Sequence, residues 1–454
     1  MTLLISKTKE DWTFKEIKTQ EFTHGLHQYP ARMHPEIAKR LIAKFTSKKS
    51  DLVFDPFMGS GTVLVEAMLH GNNSIGIDLN PFAVLLSNVK TTPLDSKKLE
   101  TTFKQIISNL KKDKQDKVTY DNAPNFTPRK SKKESLEFWY LPRTIDDLQI
   151  LKNQIFLIKN KQISNFFKIC FSLTTRKVSF QKSSIYKIYR RTSDKRYPQI
   201  KLPKTFYEKN KKINRVSFSG DTFLEFSQIC EKNIKNMKNF TEKIGTKHAI
   251  ANTILGNTMD APEILGTKKP TLLVTSPPYG DHQTTVAYGQ FSRHPGMWLE
   301  LPEQKELLAV DSEGLGGKKK DEIENLESDT LDKILKKIKK KDKEIPKTKT
   351  HANRAGDVYS FFKDLDNCFE KISHVLQENK SHCCFVVSNR TVRREKIPTD
   401  EICVELAKKY GFTHTDTIYR TIANKAMSLK NAPENITNFS GDTMNQESII
   451  IWKF

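Results

Sequence analysis

DLVFDPFMGSGT, residues 51–62, sets the tightest limit on how this chain can fold. An apolar run ends at Asp55 and turns through Gly59 and Gly61; VLVEAMLHG then reads as a helix ending at Gly71, and the next apolar run, SIGIDL, carries Asp78. Strand, glycine turn, helix and strand within about 30 residues make the opening βαβ unit of a doubly wound sheet. Glycine is required in the turn because a chain leaving a strand sharply must reach unusual φ angles and let a ligand approach its backbone. Asp55 offers a carboxylate to a ligand's ammonium. Asp78, 19 positions after Gly59, is spaced to hydrogen-bond both hydroxyls of a ribose. The loop therefore suits an adenosine that carries no pyrophosphate.

A chain of 454 residues exceeds what one core usually holds, so two domains are expected. The net charge of +23 is uneven: residues 97–250 hold 35 Lys and Arg against 14 Asp and Glu, leaving the rest almost neutral. Phe, Tyr and Trp are interleaved there, as in FYEKNKKINRVSF. Cations release counterions from a phosphate backbone, and aromatics either stack on bases or build an internal core. A polyanionic partner follows, with a merely solvated basic module as the plain alternative. No window approaches the roughly 18 apolar residues of a membrane span, and the start, MTLLISKTKEDWTF, lacks a signal-peptide apolar region. The six cysteines show no CxxC spacing, which points to reduced, buried thiols in a cytoplasmic protein and to no metal. Residues 316–349, rich in Lys, Glu and Asp, read as a solvated helix or mobile insertion, with seven lysines between Lys333 and Lys343.

The segment from Asp55 to Thr62 resembles the first motif, D-P-F-x-G-S-G-T, of the amino-methylating (cytosine-N4 and adenine-N6) DNA methyltransferases, a branch of the class I S-adenosylmethionine-dependent methyltransferases. The resemblance implies that Asp55 and the backbone from Phe57 to Gly61 hold the methionine part of S-adenosylmethionine. Pro56 and Thr62 would complete that loop, and Asp78 would take the ribose. Upstream, HQYPARMHP (residues 27–35) is similar to the family's H-x-Y-P-A-R/K segment, which would set Tyr29, Pro30 and Ala31 beside the methionine carboxylate. In ILGNTMDAPEIL, Asp260 stands where the family often places an acid that accepts from the adenine amine; a helix cap before Pro262 is the alternative.

Thr275-Ser276-Pro277-Pro278-Tyr279 follows the apolar run LLVTS, so it falls at a strand's carboxyl end, where open α/β sheets bind ligands. Two prolines remove two backbone donors and stiffen the turn. The Ser276 hydroxyl and the Pro277 carbonyl remain as acceptors for an incoming NH₂ group. A base's exocyclic amine is a poor nucleophile because its lone pair is delocalised into the ring. Acceptors holding its hydrogens favour pyramidal geometry and free that pair, so positioning is most of the catalysis. Tyr279 offers a flat face to a base flipped out of the duplex. The S-P-P-Y form is typical of the family's cytosine-N4 enzymes, whereas D-P-P-Y and N-P-P-Y dominate among its adenine-N6 enzymes. Following Tyr279, GDHQTTVAYGQFSR resembles subsets of the N4 enzymes, which makes Gln283, Thr284, Tyr288, Ser292 and Arg293 candidates for the base pocket. Asn389 and Asn424 are candidates for a contact with the site, with ordinary strand-end hydrogen bonding as the favoured alternative. No Pro-Cys segment occurs, so ring-carbon methylation, which needs a nucleophilic cysteine, is disfavoured.

Further strands are expected at PTLLVTS, HCCFVVSN and ESIIIWKF, and helices at DVYSFFKDLDNCFEKISHVL and TDEICVELAKKYG. More than 200 residues separate the glycine loop from the SPPY segment, far more than the sheet needs. Residues 1–95 are therefore read as the first part of the catalytic core, 96–248 as an inserted basic target-recognition module, and 249–454 as the second part, with the Lys-rich insertion at about 295–352. For the core, the resemblance implies an α/β Rossmann-like fold: seven strands, mostly parallel, the last antiparallel. It further suggests a monomer that modifies a short double-stranded DNA target, paired with a restriction endonuclease of the same specificity. Adenine N6 and an RNA amine are the competing substrates.

Overall fold

A computed structural model describes residues 11–115, 136–181, 221–246, 248–280, 288–301, 304–320, 322–344, 353–422 and 446–454. It also describes isolated positions at 186, 188, 193–194, 197–201, 286, 430–431 and 441–442. Seven strands form one sheet: β1 (Val53–Asp55), β2 (Ser74–Asp78), β3 (Ala251–Leu255), β4 (Leu272–Thr275), β5 (His382–Val387), β6 (Thr413–Thr421) and β7 (Gln446–Lys453). Their spatial order is β6-β7-β5-β4-β1-β2-β3. The pairings β1·β2, β1·β4, β2·β3 and β4·β5 are parallel, and β7 runs antiparallel to both β5 and β6. The sheet is thus seven-stranded and mostly parallel with an antiparallel last strand, as the sequence led one to expect.

The strands were legible because both faces of the sheet are covered, which turns alternation into continuous apolar runs. Val53, Leu272, Val274, Cys384, Val386, Ile449 and Ile451 lie in one core, while Phe54, Leu273, Cys383, Phe385, Ile450 and Trp452 lie in the core of the other face. Among the described residues, the helices longer than five residues are α1 (Pro35–Phe45), α2 (Thr62–His70), α3 (Pro81–Thr91), α4 (Ser96–Gln115), α5 (Pro142–Phe156), α6 (Lys161–Val178), α7 (Thr222–Ile244), α8 (Tyr288–Trp298), α9 (Gln304–Glu313), α10 (Asp329–Glu344), α11 (Arg354–Ser373) and α12 (Thr399–Lys408). α1 and α2 cover the first face; α10, α11 and α12 contribute to the core of the second. All six cysteines are buried and free.

Helices α4 to α7 come from the basic middle of the chain and extend the layer of α2 and α3. Phe166, Phe167, Phe171 and Phe226 join Val65, Met68, Phe82 and Leu86 in one buried cluster. Trp139, Tyr140 and these phenylalanines of the middle segment therefore build an internal core, whereas Tyr186 is exposed. All of FYEKNKKINRVSF and about half of SSIYKIYRRTSDKRYPQIK lie outside the described residues.

The Lys-rich stretch differs from a freely solvated or mobile insertion. α10 buries Leu331, Ile334, Leu335 and Ile338, whose spacing draws one apolar stripe against α11 and α12. Lys333, Lys336, Lys337, Lys339 and Lys340 fall on the exposed side, and Asp342 pairs with Arg393 at 2.7 Å. The helix that the segment offered is present, and the high lysine count concealed only the apolar stripe that docks it. Among the described residues no helix is long and apolar enough to cross a membrane, and no cluster of His, Cys, Asp and Glu is arranged to hold a metal ion.

Candidate active site

Asp55, Asp78 and Thr275 are the last residues of β1, β2 and β4. β1 lies between the other two, so three strand ends meet where the strand order reverses, the place at which open α/β sheets bind ligands. A cavity of about 230 Å³ opens there. Its walls include Tyr29, Pro30, Ala31, Asp55, Pro56, Phe57, Gly59, Thr62, Asp78, Ser276 and Pro278, which brings the glycine loop and the SPPY segment to one space.

Gly59 and Gly61 sit at φ +48° and +74°, the left-handed region that only glycine enters without strain. Gly61 precedes the first residue of α2. Ser87 of α3 locks the turn by donating its hydroxyl to the Gly59 carbonyl at 2.8 Å. Ser60 Oγ and Thr62 Oγ1 are buried without a hydrogen-bond partner, and both residues line the cavity at the N-terminus of α2. Unpaired N–H groups and the helix dipole make that point favourable to an anion.

The two carboxylates are held differently. Asp55 Oδ1 accepts from Thr275 Oγ1 at 2.6 Å and from the Phe57 N–H at 3.1 Å, so this acid also ties the glycine loop to the strand that leads into SPPY. Asp78 takes the Gly59 N–H on Oδ2 and the Asn80 N–H on Oδ1, each at 2.8 Å. Burial pushes the Asp55 carboxyl up to about 7, against the hydrogen bonds from Thr275 and Phe57. Burial likewise raises Asp78 to about 6, against its two backbone donors.

The upstream segment is fixed from below. His27 Nε2 lies 2.9 Å from Ser172 Oγ, and burial pulls this imidazole down to about 3, so it is neutral. Tyr29 packs against Gly59, and its hydroxyl accepts from Asn80 Nδ2 at 3.1 Å. Asn80 also donates to Ser292 Oγ at 2.7 Å and caps α3 through Phe82 N at 3.0 Å. Ser292 is thereby a buried strut, not a lining residue, while Tyr288 does line the cavity. Arg293 is half-buried and is not among the lining residues.

In the SPPY turn, Ser276 Oγ donates to the Tyr279 hydroxyl at 3.2 Å, which donates to Glu447 Oε1 at 2.9 Å. Pro277 is buried, and neither it nor Tyr279 nor Gly61 is among the lining residues. Asp260 is exposed and is not among the lining residues, and its side chain caps nothing; its neighbours Asn257, Thr258 and Met259 line the cavity. Thr258 Oγ1 secures that wall by donating to the Pro56 carbonyl at 2.5 Å. Gln283, Thr284 and Asn424 lie outside the described residues. Asn389 Oδ1 accepts from Asp400 N at 3.4 Å, at the start of α12.

Several residues entered unannounced. Val310, Ser312, Gly314 and Leu315, inside the expected Lys-rich insertion, close the far wall together with Asp364 and Cys368 of α11. Asp364 pins this wall by accepting from the Gly316 N–H at 2.9 Å and pairing with Lys320 at 2.9 Å. Asn80 had a readable signal, an Asn-Pro pair opening a helix; Glu447 had none.

A sheet of this order and direction, with a glycine loop after its first strand, is the class I methyltransferase fold. A family profile described as DNA methylase matches residues 5–89. The type II methyltransferase M.MvaI of Kocuria varians is 33% identical over 456 residues, covering 97% of this chain and 93% of that protein. M.MjaII, a type II methyltransferase of Methanocaldococcus jannaschii, is 38% identical over 108 residues, 23% of this chain and 20% of its own length. Among solved structures, the rRNA methyltransferase aviRa of Streptomyces viridochromogenes superposes with a TM-score of 0.32 at 9% identity, over 94% of this chain and 88% of that one. A likeness so remote says nothing about this chain's substrate. The chain belongs to the amino-methylating DNA methyltransferases.

Proposed function

We propose that this protein transfers a methyl group from S-adenosylmethionine to N4 of cytosine within a short double-stranded DNA target, as the protective partner of a restriction endonuclease of the same specificity. The observation that carries the reading is the single cavity shared by Asp55, Gly59, Asp78, Ser276 and Pro278. Its residues fit S-adenosylmethionine. The unpartnered Ser60 and Thr62 hydroxyls at the N-terminus of α2 suit a carboxylate, Asp55 suits an ammonium, and Asp78 suits ribose hydroxyls. When bound, the cofactor supplies an electrophilic methyl on a positively charged sulfur. The chain's part is to exclude water and to hold the target amine by a hydrogen on Ser276 Oγ, which lines the cavity. Serine in place of aspartate or asparagine supports cytosine as the base. DNA is read by the basic segment 96–248, whose cations offer a surface for phosphates.

Both buried carboxyls sit above the ~4 of an unfolded-chain carboxyl. In the ligand-free protein their contribution to stability is therefore present in acid and is lost as the pH rises through about 6 and then about 7. Binding a cation runs the other way, because it needs the ionised form. Affinity for S-adenosylmethionine is expected to fall about tenfold or more between about pH 8 and about pH 5.5. Calorimetric titration across that range checks it, and a flat profile would remove Asp55 as the ammonium's partner.

The substrate is tested by incubating the protein with methyl-labelled S-adenosylmethionine and mixed DNA and RNA, then digesting to nucleosides. Label is expected in N4-methylcytosine. Label in N6-methyladenine would overturn the choice of base, and label confined to RNA would overturn the choice of polymer.

A further inference from the structure

Glu447 lies on β7 opposite Arg420 of β6, its cross-strand partner. Arg420 Nη1 pairs with Glu447 Oε2, and the side chains of the two are 4% and 14% exposed. The guanidinium is anchored in turn: its Nε donates to the Trp12 carbonyl at 2.8 Å, and it lies 5.4 Å from the centre of the Phe14 ring. With Oε2 engaged by Arg420, Oε1 accepts the Tyr279 hydroxyl at 2.9 Å. A carboxylate that no motif announces is thus wired into the SPPY turn from the far end of the chain.

Counting hydrogens gives this wiring a direction. An ionised carboxylate only accepts. Tyr279 has one hydroxyl hydrogen and gives it to Glu447, so its oxygen must accept from Ser276, 3.2 Å away. Ser276 has one hydrogen too, and it is now committed. Only lone pairs of this hydroxyl remain for the cavity that Ser276 lines. An unconstrained serine would serve equally as a donor to a ring nitrogen or a carbonyl of a base. This one is restricted to accepting, which selects an amine.

We propose that Glu447 is a positioning residue which, through Tyr279, turns the Ser276 hydroxyl into an obligate acceptor for the target amine and takes up the proton that the amine sheds. The proposal rests on the reading that Ser276 receives the amine. As the amine lone pair forms the new N–C bond, the methyl's bond to the sulfonium sulfur breaks with its pair left on sulfur; one N–H bond then breaks and its electron pair stays on nitrogen. The proton passes to Ser276 Oγ, the serine's hydrogen to the Tyr279 oxygen, and the tyrosine's to Glu447 Oε1. One O–H bond is formed, at Glu447, and the positive charge that would have stayed on the amine is cancelled by the carboxylate's negative one. A hydroxyl, a poor base alone, thereby gains the proton affinity of a carboxylate two hydrogen bonds away.

The test uses the full chain as wild type, Glu447→Gln, Tyr279→Phe and the double variant. Tyr279→Phe breaks the same link while leaving the Arg420 pair intact, so a folding defect confined to Glu447→Gln does not decide the matter. With tyrosine labelled at ¹³Cζ and no cofactor present, the Tyr279 resonance is expected to shift in Glu447→Gln, because the phenol loses its charged acceptor. In single-turnover methyl transfer to genomic DNA free of methylated amines, each single variant is expected to lose about 10- to 100-fold. The double variant should lose no more than either single one, since all act through one chain. Affinity for S-adenosylmethionine should stay within about twofold throughout. An unmoved resonance, a Glu447→Gln rate within about twofold of wild type, or multiplying losses in the double variant would each overturn the proposal. A wild-type protein that methylates no amine would overturn the underlying reading and with it the proton's route, while the resonance still decides the direction of the hydrogen-bonded chain.

Discussion

Ser276→Ala is expected to lower single-turnover methyl transfer by about 100- to 1,000-fold while leaving affinity for S-adenosylmethionine within about twofold, because a lost acceptor at the reacting amine is felt only as the transition state forms. Asp78→Ala should do the reverse. Asp78 lines the cavity and also accepts the Gly59 N–H, so its removal takes away a ligand contact and loosens the glycine loop. A fall in affinity of about 10- to 100-fold is expected, with saturated turnover within about tenfold of wild type. The separation follows from geometry: the two residues end neighbouring regions of one cavity but belong to different strands, β2 and the turn after β4. Equal losses of affinity and turnover in both variants would mean that the cavity is not divided between cofactor and amine. Titration calorimetry and rapid-quench kinetics on the same preparations make the comparison.

Gly61→Ala carries the second large expectation. At φ +74° any side chain is strained, and here a Cβ would also stand 2.8 Å from Ser87 Oγ, 3.0 Å from Ser87 Cβ and 3.2 Å from Ser87 Cα. The last of these is backbone of α3 and cannot swing aside. Left-handed strain of about 1–2 kcal/mol joins an overpacking cost of about 1–3 kcal/mol. The hydrogen bond from Ser87 to the Gly59 carbonyl is displaced as well. A clear drop in melting temperature is expected together with loss of measurable cofactor binding. Gly59→Ala is the control. It bears the same kind of strain at φ +48°, but its nearest contact is Tyr29 Cε1 at 3.5 Å, an ordinary distance. Thermal denaturation with and without S-adenosylmethionine should therefore rank Gly61→Ala well below Gly59→Ala. The opposite ranking would show that loop conformation, not the fit against α3, dominates at Gly61.

The parts of this molecule that were legible in the sequence are those where one local pattern has one physical solution. β1, β2, β4, β5 and β7 are buried on both faces and read as apolar runs, and the glycine loop reads as a turn because no other residue tolerates its angles. β3 and β6 were harder. They are the two edges of the sheet, largely exposed, and sequences such as ANTIL and THTDTIYRT give no continuous apolar signal. Composition misled in the Lys-rich segment, where the four apolar residues that dock α10 are outnumbered by lysines facing solvent.

The site divides along the same line. Tyr29, Asp55, Gly59, Asp78 and Ser276 belong to contiguous motifs, and they meet at one cavity. Asp260 was placed by analogy of position. In this chain the turn after β3 directs Asn257, Thr258 and Met259 to the wall and leaves the acid exposed. Glu447 and Asp364 come from β7 and α11, more than 80 residues beyond the nearest motif residue, Tyr279. Only the antiparallel return of β7 and the packing of α11 under the cavity bring them near, and such long-range placement leaves no mark on local sequence.

The central claim is that the glycine loop and the SPPY turn form one site for methylating a base amine in DNA. Methylation sequencing of DNA from cells expressing the protein, beside cells expressing Ser276→Ala, tests it most directly. The account predicts N4-methylcytosine confined to one short sequence in the first sample and none in the second. No methylated amine in the first sample, or an identical methylation profile in both, would contradict it; N6-methyladenine would contradict only the choice of cytosine.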